Sequence, residues 1–171
     1  MSAPGLGSTF VLELPVIQGA SGARIRPDER QSAALTASTT PTLHGRVLVV
    51  DDGIDNQRLI SLLLMRTGAT VDVASDGLEG VNKALWTRGS GEPYDLIIME
   101  MQMPKLDGLE ATRRLRAAGL LTPIAALTAN ALIDDRERCK ATGCNAFLQK
   151  PIDRIRFFAT CQQLIAMGRA A

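Results

Sequence analysis

The chain has 171 residues, enough for one well-packed domain with an appendage and too few for two full domains. Its formal net charge is +1 with 22% charged residues, which sets aside the broad basic field that nucleic acid or an anionic membrane would call for. A hydrophobic content of 46% with few aromatics suits an α/β core built on aliphatic side chains. No apolar run approaches the roughly 20 residues of a membrane span, and the N-terminus lacks the basic-then-apolar pattern of a secretory signal. The expected location is cytoplasmic. Cys139, Cys144 and Cys161 are odd in number and show no CxxC spacing, as expected of reduced, buried or partly buried thiols.

From Gly5 to Pro15 one strand is expected, because Phe10, Leu12 and Leu14 alternate with Val11 and Glu13 before the proline. A lone strand of that length does not fold unaided. Residues 16–44 are rich in Ala, Ser, Thr, Gly and Arg without apolar periodicity and are expected to form a flexible linker. The character changes at Arg46. Arg46 to Val50 is a short β-branched aliphatic run, as in a strand buried on both faces of a parallel sheet. Ile54 to Thr67 has Ile60, Leu63 and Leu64 at helical spacing and stops at Gly68. Next come a strand over Thr70–Ala74 and a helix over Gly77–Arg88 with Leu78, Val81 and Leu85 on one face. A strand over Leu96–Met99 leads to a helix from Leu106 to Ala118, ended by Gly119. A strand over Ile124–Leu127 leads to a helix from Ala131 to Thr142, ended by Gly143. Ala146–Gln149 is the last strand and Ile152–Met167 the last helix. Five strand–helix alternations with short connections predict a parallel sheet covered by helices on both faces. Ligands of such folds bind beyond the carboxyl ends of the strands.

The unusual residues fall at those ends. Asp51 and Asp52 end the first strand, Glu100 the third, Thr128 the fourth and Lys150 the fifth. Alone, an Asp-Asp pair is a turn or cap, Thr128 a helix cap and Lys150 a solvated lysine; their common placement at successive strand ends marks one crevice. Three crowded carboxylates repel unless a cation joins them. With oxygen ligands only, the natural cation is Mg²⁺. Thr128 adds a hydroxyl donor and Lys150 a mobile positive charge, a set suited to a phosphoryl group in transfer.

The acidic pair in VLVVDD, the stretch YDLIIMEMQMPKLDGLEATRRLR, the ALTANA segment and the Lys-Pro of AFLQKP together resemble a receiver domain of two-component signalling, of the kind attached to hybrid histidine kinases. The resemblance runs from Arg46 to about Met167 and implies a doubly wound (βα)5 flavodoxin-like sheet of strand order 2-1-3-4-5, over residues 45–168. It implies Asp51, Asp52 and Glu100 around Mg²⁺, with Gln102 offering its backbone carbonyl, and Thr128 and Lys150 on phosphoryl oxygens. It also implies that Thr128 and Phe147 couple phosphorylation to a surface change, and that the Lys150–Pro151 bond is cis. GLGSTFVLELPV resembles the closing segment of a histidine-kinase ATP-binding domain, making residues 1–15 a remnant of one; the nucleotide-binding motifs themselves are missing from the sequence. His44, in the linker, has no helical-bundle pattern around it and is not expected to donate a phosphoryl group.

Receivers accept phosphate on aspartate, and Glu100 stands there. Its stem is longer by one methylene, about 1.5 Å of reach, and a misplacement of about 1 Å costs on the order of a hundredfold in rate. Two consequences remain open. Glu100 imitates the phosphorylated state, incompletely because a carboxylate lacks the oxygens and charge of a phosphoryl group, or it pairs with Lys150 and leaves an inert module. Gly53 is a milder departure, where hybrid-kinase receivers often show asparagine. The chain is expected to signal by contact rather than to act as an enzyme, on a histidine kinase core, a histidine phosphotransfer protein or, weakly, a second copy. The expected contact face is Ala131–Met167, rimmed by Arg136, Arg138, Lys140, Arg154 and Arg156. A Mg²⁺-dependent phosphatase or phosphotransferase of similar sheet is the alternative, but it would need an Asp-x-Asp pair and an inserted cap.

Overall fold

Val47, Leu48, Val49 and Val50 are all inaccessible to solvent, as a central strand covered on both faces must be. The computed structural model describes residues 2–3, 7–8, 42–129 and 133–170. Near the N-terminus, β1 (Ser2–Ala3) and β2 (Gly7–Ser8) pair antiparallel, Ser2 with Ser8 and Ala3 with Gly7. Of the strand expected over Gly5–Pro15 only Gly7 and Ser8 are described; the remainder, and the linker over residues 16–41, lie outside the described residues.

The main unit alternates β3 (Arg46–Val50), α1 (Ile54–Met65), β4 (Thr70–Ala74), α2 (Gly77–Gly89), β5 (Leu96–Glu100), α3 (Gly108–Ala117), β6 (Ile124–Thr128), α4 (Ile133–Ala141), β7 (Ala146–Gln149) and α5 (Arg154–Ala170). All four pairings are parallel, in the order β4-β3-β5-β6-β7. Counted within the sheet this is 2-1-3-4-5, the doubly wound flavodoxin-like order expected.

Successive strand residues feed opposite faces. Val47, Val49, Leu96, Ile98, Ala125 and Leu127 pack with Ile60 and Leu64 of α1 and Phe157, Cys161 and Leu164 of α5. Leu48, Val50, Ile97, Met99, Ile124 and Ala126 pack with Val81 and Ala84 of α2 and Ala111 and Leu115 of α3. Each buried aliphatic contributes on the order of 1.5–3 kcal/mol against exposure, so this period-two pattern fixes the register of the three central strands, β3, β5 and β6. Phe157 and Phe158 meet edge to face, centroids 5.6 Å apart.

Several boundaries differ from expectation for local reasons. The third helix begins at Gly108 rather than Leu106, because the Asp107 side chain accepts from the Glu110 N–H at 2.7 Å and caps it. Asp153 does the same for Arg156 at 3.0 Å, so the last helix starts at Arg154 rather than Ile152. Gly68, Gly119 and Gly143 take positive φ just past α1, α3 and α4, as the stop signals require. The linker boundary is corrected: Leu43 is buried in the core and its N–H donates to the Thr67 carbonyl at 2.8 Å, so the domain reaches back past residue 45. Among the described residues no helix is long and apolar enough to cross a membrane.

Candidate functional site

The carboxyl ends of β3, β5, β6 and β7 deliver Asp51, Glu100, Thr128 and Lys150 to one end of the sheet. Asp51 is fully buried. Its Oδ1 accepts from the Gly53 N–H at 2.8 Å and the Asn56 Nδ2 at 3.2 Å, and its Oδ2 accepts from the Lys150 Nζ at 2.9 Å. The Gln57 amide donates to the Asp51 carbonyl at 2.6 Å and holds the turn into α1. Gly53 is the cap residue of α1 and supplies no side-chain bond. A Cβ there would stand 2.9 Å from the Asn56 amide and 3.1 Å from Asp51 Oδ1. Glycine therefore lets the chain turn tightly over the carboxylate.

Glu100 is 4% exposed. Its side chain curls back over the β5–α3 loop, where Oε1 accepts from the Met101 N–H at 3.1 Å and the Gln102 N–H at 3.2 Å. Oε2 makes an ion pair with Lys150 Nζ and, among the described residues, no hydrogen bond. Lys150 thus stands between two buried carboxylates. Burial pulls the Lys150 pKa down, but the hydrogen bonds and charges of Glu100 and Asp51 outweigh it and hold the ammonium above the ordinary lysine range. The Lys150 N–H donates to the Thr128 carbonyl at 2.8 Å, and Lys150–Pro151 is cis, as expected.

Close packing braces the β5–α3 loop. A Cβ on Gly108 would fall 2.1 Å from the Glu100 carbonyl oxygen, so only glycine lets the start of α3 press against the acidic strand end. Lys105, at φ 66°, reaches across to Asp76 at 2.5 Å. Asp76 also caps α2 by accepting from the Glu79 N–H at 2.8 Å. Its carboxyl is held below the ordinary range, first by the Lys105 hydrogen bond and then by that amide. Asn56, Lys105 and Gly108 escaped sequence reasoning. The Asp76–Glu79 spacing of a capping box was the one available signal for the Asp76 anchor.

The other expected residues divide. Thr128 is buried, and it lines a cleft of ≈ 390 Å³ together with half-buried Phe147, Gln102 and Cys139. The Arg136 guanidinium lies 5.1 Å from the Phe147 ring centroid. Arg138, Lys140, Arg154 and Arg156 are exposed. Asp52 and Gln102 are exposed, and Gln102 lines the same cleft as Thr128. Among the described residues no three acidic, histidine or cysteine side chains are placed together as a metal cluster. The expected trio of crowded carboxylates is corrected to two carboxylates bridged by an ammonium. The oxygen-only donor set still fits Mg²⁺, which takes one or two carboxylates and keeps its waters. A divalent ion would then share Asp51 and Glu100 with Lys150.

Residues 47–162 match the family model described as the response regulator receiver domain. The chain belongs to the response regulator receiver family. Among its relatives, the sensor protein EvgS of Escherichia coli (strain K12) is 34% identical over 151 residues, covering 88% of this chain and 12% of that protein. The osmosensing histidine protein kinase SLN1 of Saccharomyces cerevisiae is 40% identical over 111 residues, covering 64% of this chain and 9% of that protein. This receiver therefore spans about an eighth or less of these relatives' length. Among solved structures, the receiver domain of the sensor histidine kinase PA1611 from Pseudomonas aeruginosa PAO1 is 39% identical. The match has a TM-score of 0.64 and covers 72% of this chain and 99% of that one. That structure is described with a magnesium ion coordinated in its active-site cleft. The receiver is thus homologous to those of hybrid histidine kinases.

Proposed function

We propose that this chain is the receiver of a hybrid histidine kinase in which Glu100 occupies the phosphoacceptor position, so that phosphorylation is impaired and the domain works by protein–protein contact. One observation carries this reading. Both Glu100 oxygens are engaged, Oε1 by two backbone N–H groups and Oε2 by Lys150, so the carboxylate is folded onto its own loop rather than presented for attack. That arrangement favours the inert reading over imitation of phosphate, because Lys150 is held by its ground-state partners.

A bound Mg²⁺ would be held by Asp51 and Glu100, with the exposed Asp52 and the Gln102 carbonyl as outer contributors, and would supply positive charge toward phosphoryl oxygens. Thr128 and Lys150 orient those oxygens, and Thr128 and Phe147, lining one cleft, form the switch. The partner is a histidine kinase core or a histidine phosphotransfer protein, with a second copy as a weak alternative, met at the α4–β7–α5 face. No turnover of its own is assigned to the domain, and its compartment is the cytoplasm. The match to EvgS extends beyond the receiver limits into the first 44 residues, which supports a kinase-derived segment there.

The test is intact-mass analysis after incubating the folded chain with acetyl phosphate and Mg²⁺. The chain is expected to stay unmodified, and Glu100→Asp to gain an acid-labile phosphoryl group. A stoichiometric gain on the parent chain overturns the reading.

A further inference from the structure

Cys139 and Cys144 stand at the two ends of the turn that closes α4. The Cys144 N–H donates to the Cys139 carbonyl at 3.0 Å, and the Gly143 N–H donates to the Lys140 carbonyl at 3.0 Å. Gly143 takes φ 99° between them. This paired closure sets the two cysteine backbones side by side, which is the backbone requirement of a disulfide. The Thr142 hydroxyl tightens the turn by donating to the Cys139 carbonyl at 2.8 Å. Both side chains belong to one packed cluster, Cys139 buried within it and Cys144 against its edge. The Cys144 Sγ also lies 3.8 Å from the Thr112 hydroxyl and 4.0 Å from that of Thr142.

Access differs between the two sulfurs. Cys139 is 3% exposed, whereas Cys144 is partly exposed. Both line an open cleft of ≈ 420 Å³ with Arg136, Lys140, Phe147 and Arg156, wide enough for a small oxidant. Burial pushes Cys139 up to about 11 and Cys144 in the same direction, with the threonine hydroxyls and Arg116 opposing it at Cys144. Both are therefore thiols at neutral pH, which makes their oxidation slow. Cys161 is fully buried in α5.

We propose that Cys139 and Cys144 are a reversible disulfide site, oxidised by a hydroperoxide, that ties the end of α4 to the strand carrying Phe147. The Cys144 thiol gives up its proton as its sulfur attacks one oxygen of the hydroperoxide; an S–O bond forms, the O–O bond breaks, and the departing alkoxide takes up a proton and leaves as an alcohol. Cys139, giving up its proton, then attacks the Cys144 sulfenic acid; an S–S bond forms and water leaves. Two thiols lose two electrons and the peroxide bond gains them. Cys139 also lines the cleft that holds Thr128 and Phe147, and the Arg136–Phe147 stack bridges the same two elements. The bond therefore fixes the α4–β7 face by a route that bypasses Glu100.

The test treats the folded chain with hydrogen peroxide, alkylates the remaining thiols with iodoacetamide after denaturation, and maps the linked peptides. The expected result is one alkylated cysteine, Cys161, and a dithiothreitol-reversible link between Cys139 and Cys144 in monomeric chain. Hydrogen exchange at the end of α4 and at Phe147 should slow at least severalfold on oxidation. A Cys161→Ser variant should form the same link and leave no free thiol. Three free thiols after prolonged treatment overturn the proposal, as do a link that includes Cys161, intermolecular dimers, or an isolated sulfinic acid on Cys144. Oxidation without any change in exchange overturns the clasp.

Discussion

Lys150→Met removes the only cation, among the described residues, that contacts both buried carboxylates. Breaking a buried ion pair by deleting one partner costs about 3–5 kcal/mol. Here the Lys150 side chain is 22% exposed, and both carboxylates keep backbone N–H donors. Solvent screening and those amides reduce the expected cost to about 2–3 kcal/mol. For a domain of this size that lowers Tm by roughly 6–15 °C. Circular dichroism on heating, with urea titration for the free energy, measures it. Adding Glu100→Gln should restore part of the loss, because one uncompensated charge goes with it. Mg²⁺ should raise Tm more in Lys150→Met than in the parent, since the ion can occupy the place the ammonium left. A loss below about 0.5 kcal/mol, or no relief from Glu100→Gln, would refute the view that Lys150 neutralises this pocket.

Gly108→Ala places a methyl 2.1 Å from the Glu100 carbonyl and should cost about 1–3 kcal/mol in urea titration while displacing the β5–α3 loop. Asp76→Ala should cost about 1 kcal/mol through the lost α2 cap, whereas Lys105→Ala, which removes only the exposed partner of that carboxylate, should leave the urea midpoint nearly unchanged. Alkaline titration gives a signed prediction. Lys150 sits above the ordinary lysine range, and burial followed by the Asp72 hydrogen bond pushes Tyr94 up to about 12. Both groups hold their protons more tightly in the folded state, so their stabilisation is complete below about pH 10 and is lost as pH rises through the raised values. The urea midpoint should therefore fall steeply between about pH 10 and 12, and less steeply in Tyr94→Phe; a flat profile would contradict the assigned shifts.

Much of the fold was legible in the sequence because the central strands are continuous aliphatic runs and the helices repeat at their own period. Val47 to Val50 and Leu96 to Met99 leave little choice but burial on both faces. Helix starts were less legible. Leu106 and Ile152 look helical by hydrophobicity, yet Asp107 and Asp153 offer caps that win locally. Leu43 gave no signal, since one apolar residue in a polar stretch has no period to belong to. In the pocket, residue identities at the strand ends were readable, but which carboxylates face inward was not. Asp51 and Asp52 are adjacent in the chain and point to different environments, one buried and one exposed. The curl of Glu100 onto the Met101 and Gln102 amides and the close approach of Gly108 to the Glu100 carbonyl are contacts of the folded loop, which a spacing pattern does not report.

The most direct measurement compares initial rates of acid-labile phosphoryl incorporation from acetyl phosphate, with saturating Mg²⁺, for the parent chain and Glu100→Asp. A gain of about a hundredfold or more in Glu100→Asp is expected from restored acceptor placement. Equal rates in the two chains, with both phosphorylated to stoichiometry, would contradict the claim that Glu100 withdraws this receiver from phosphate chemistry.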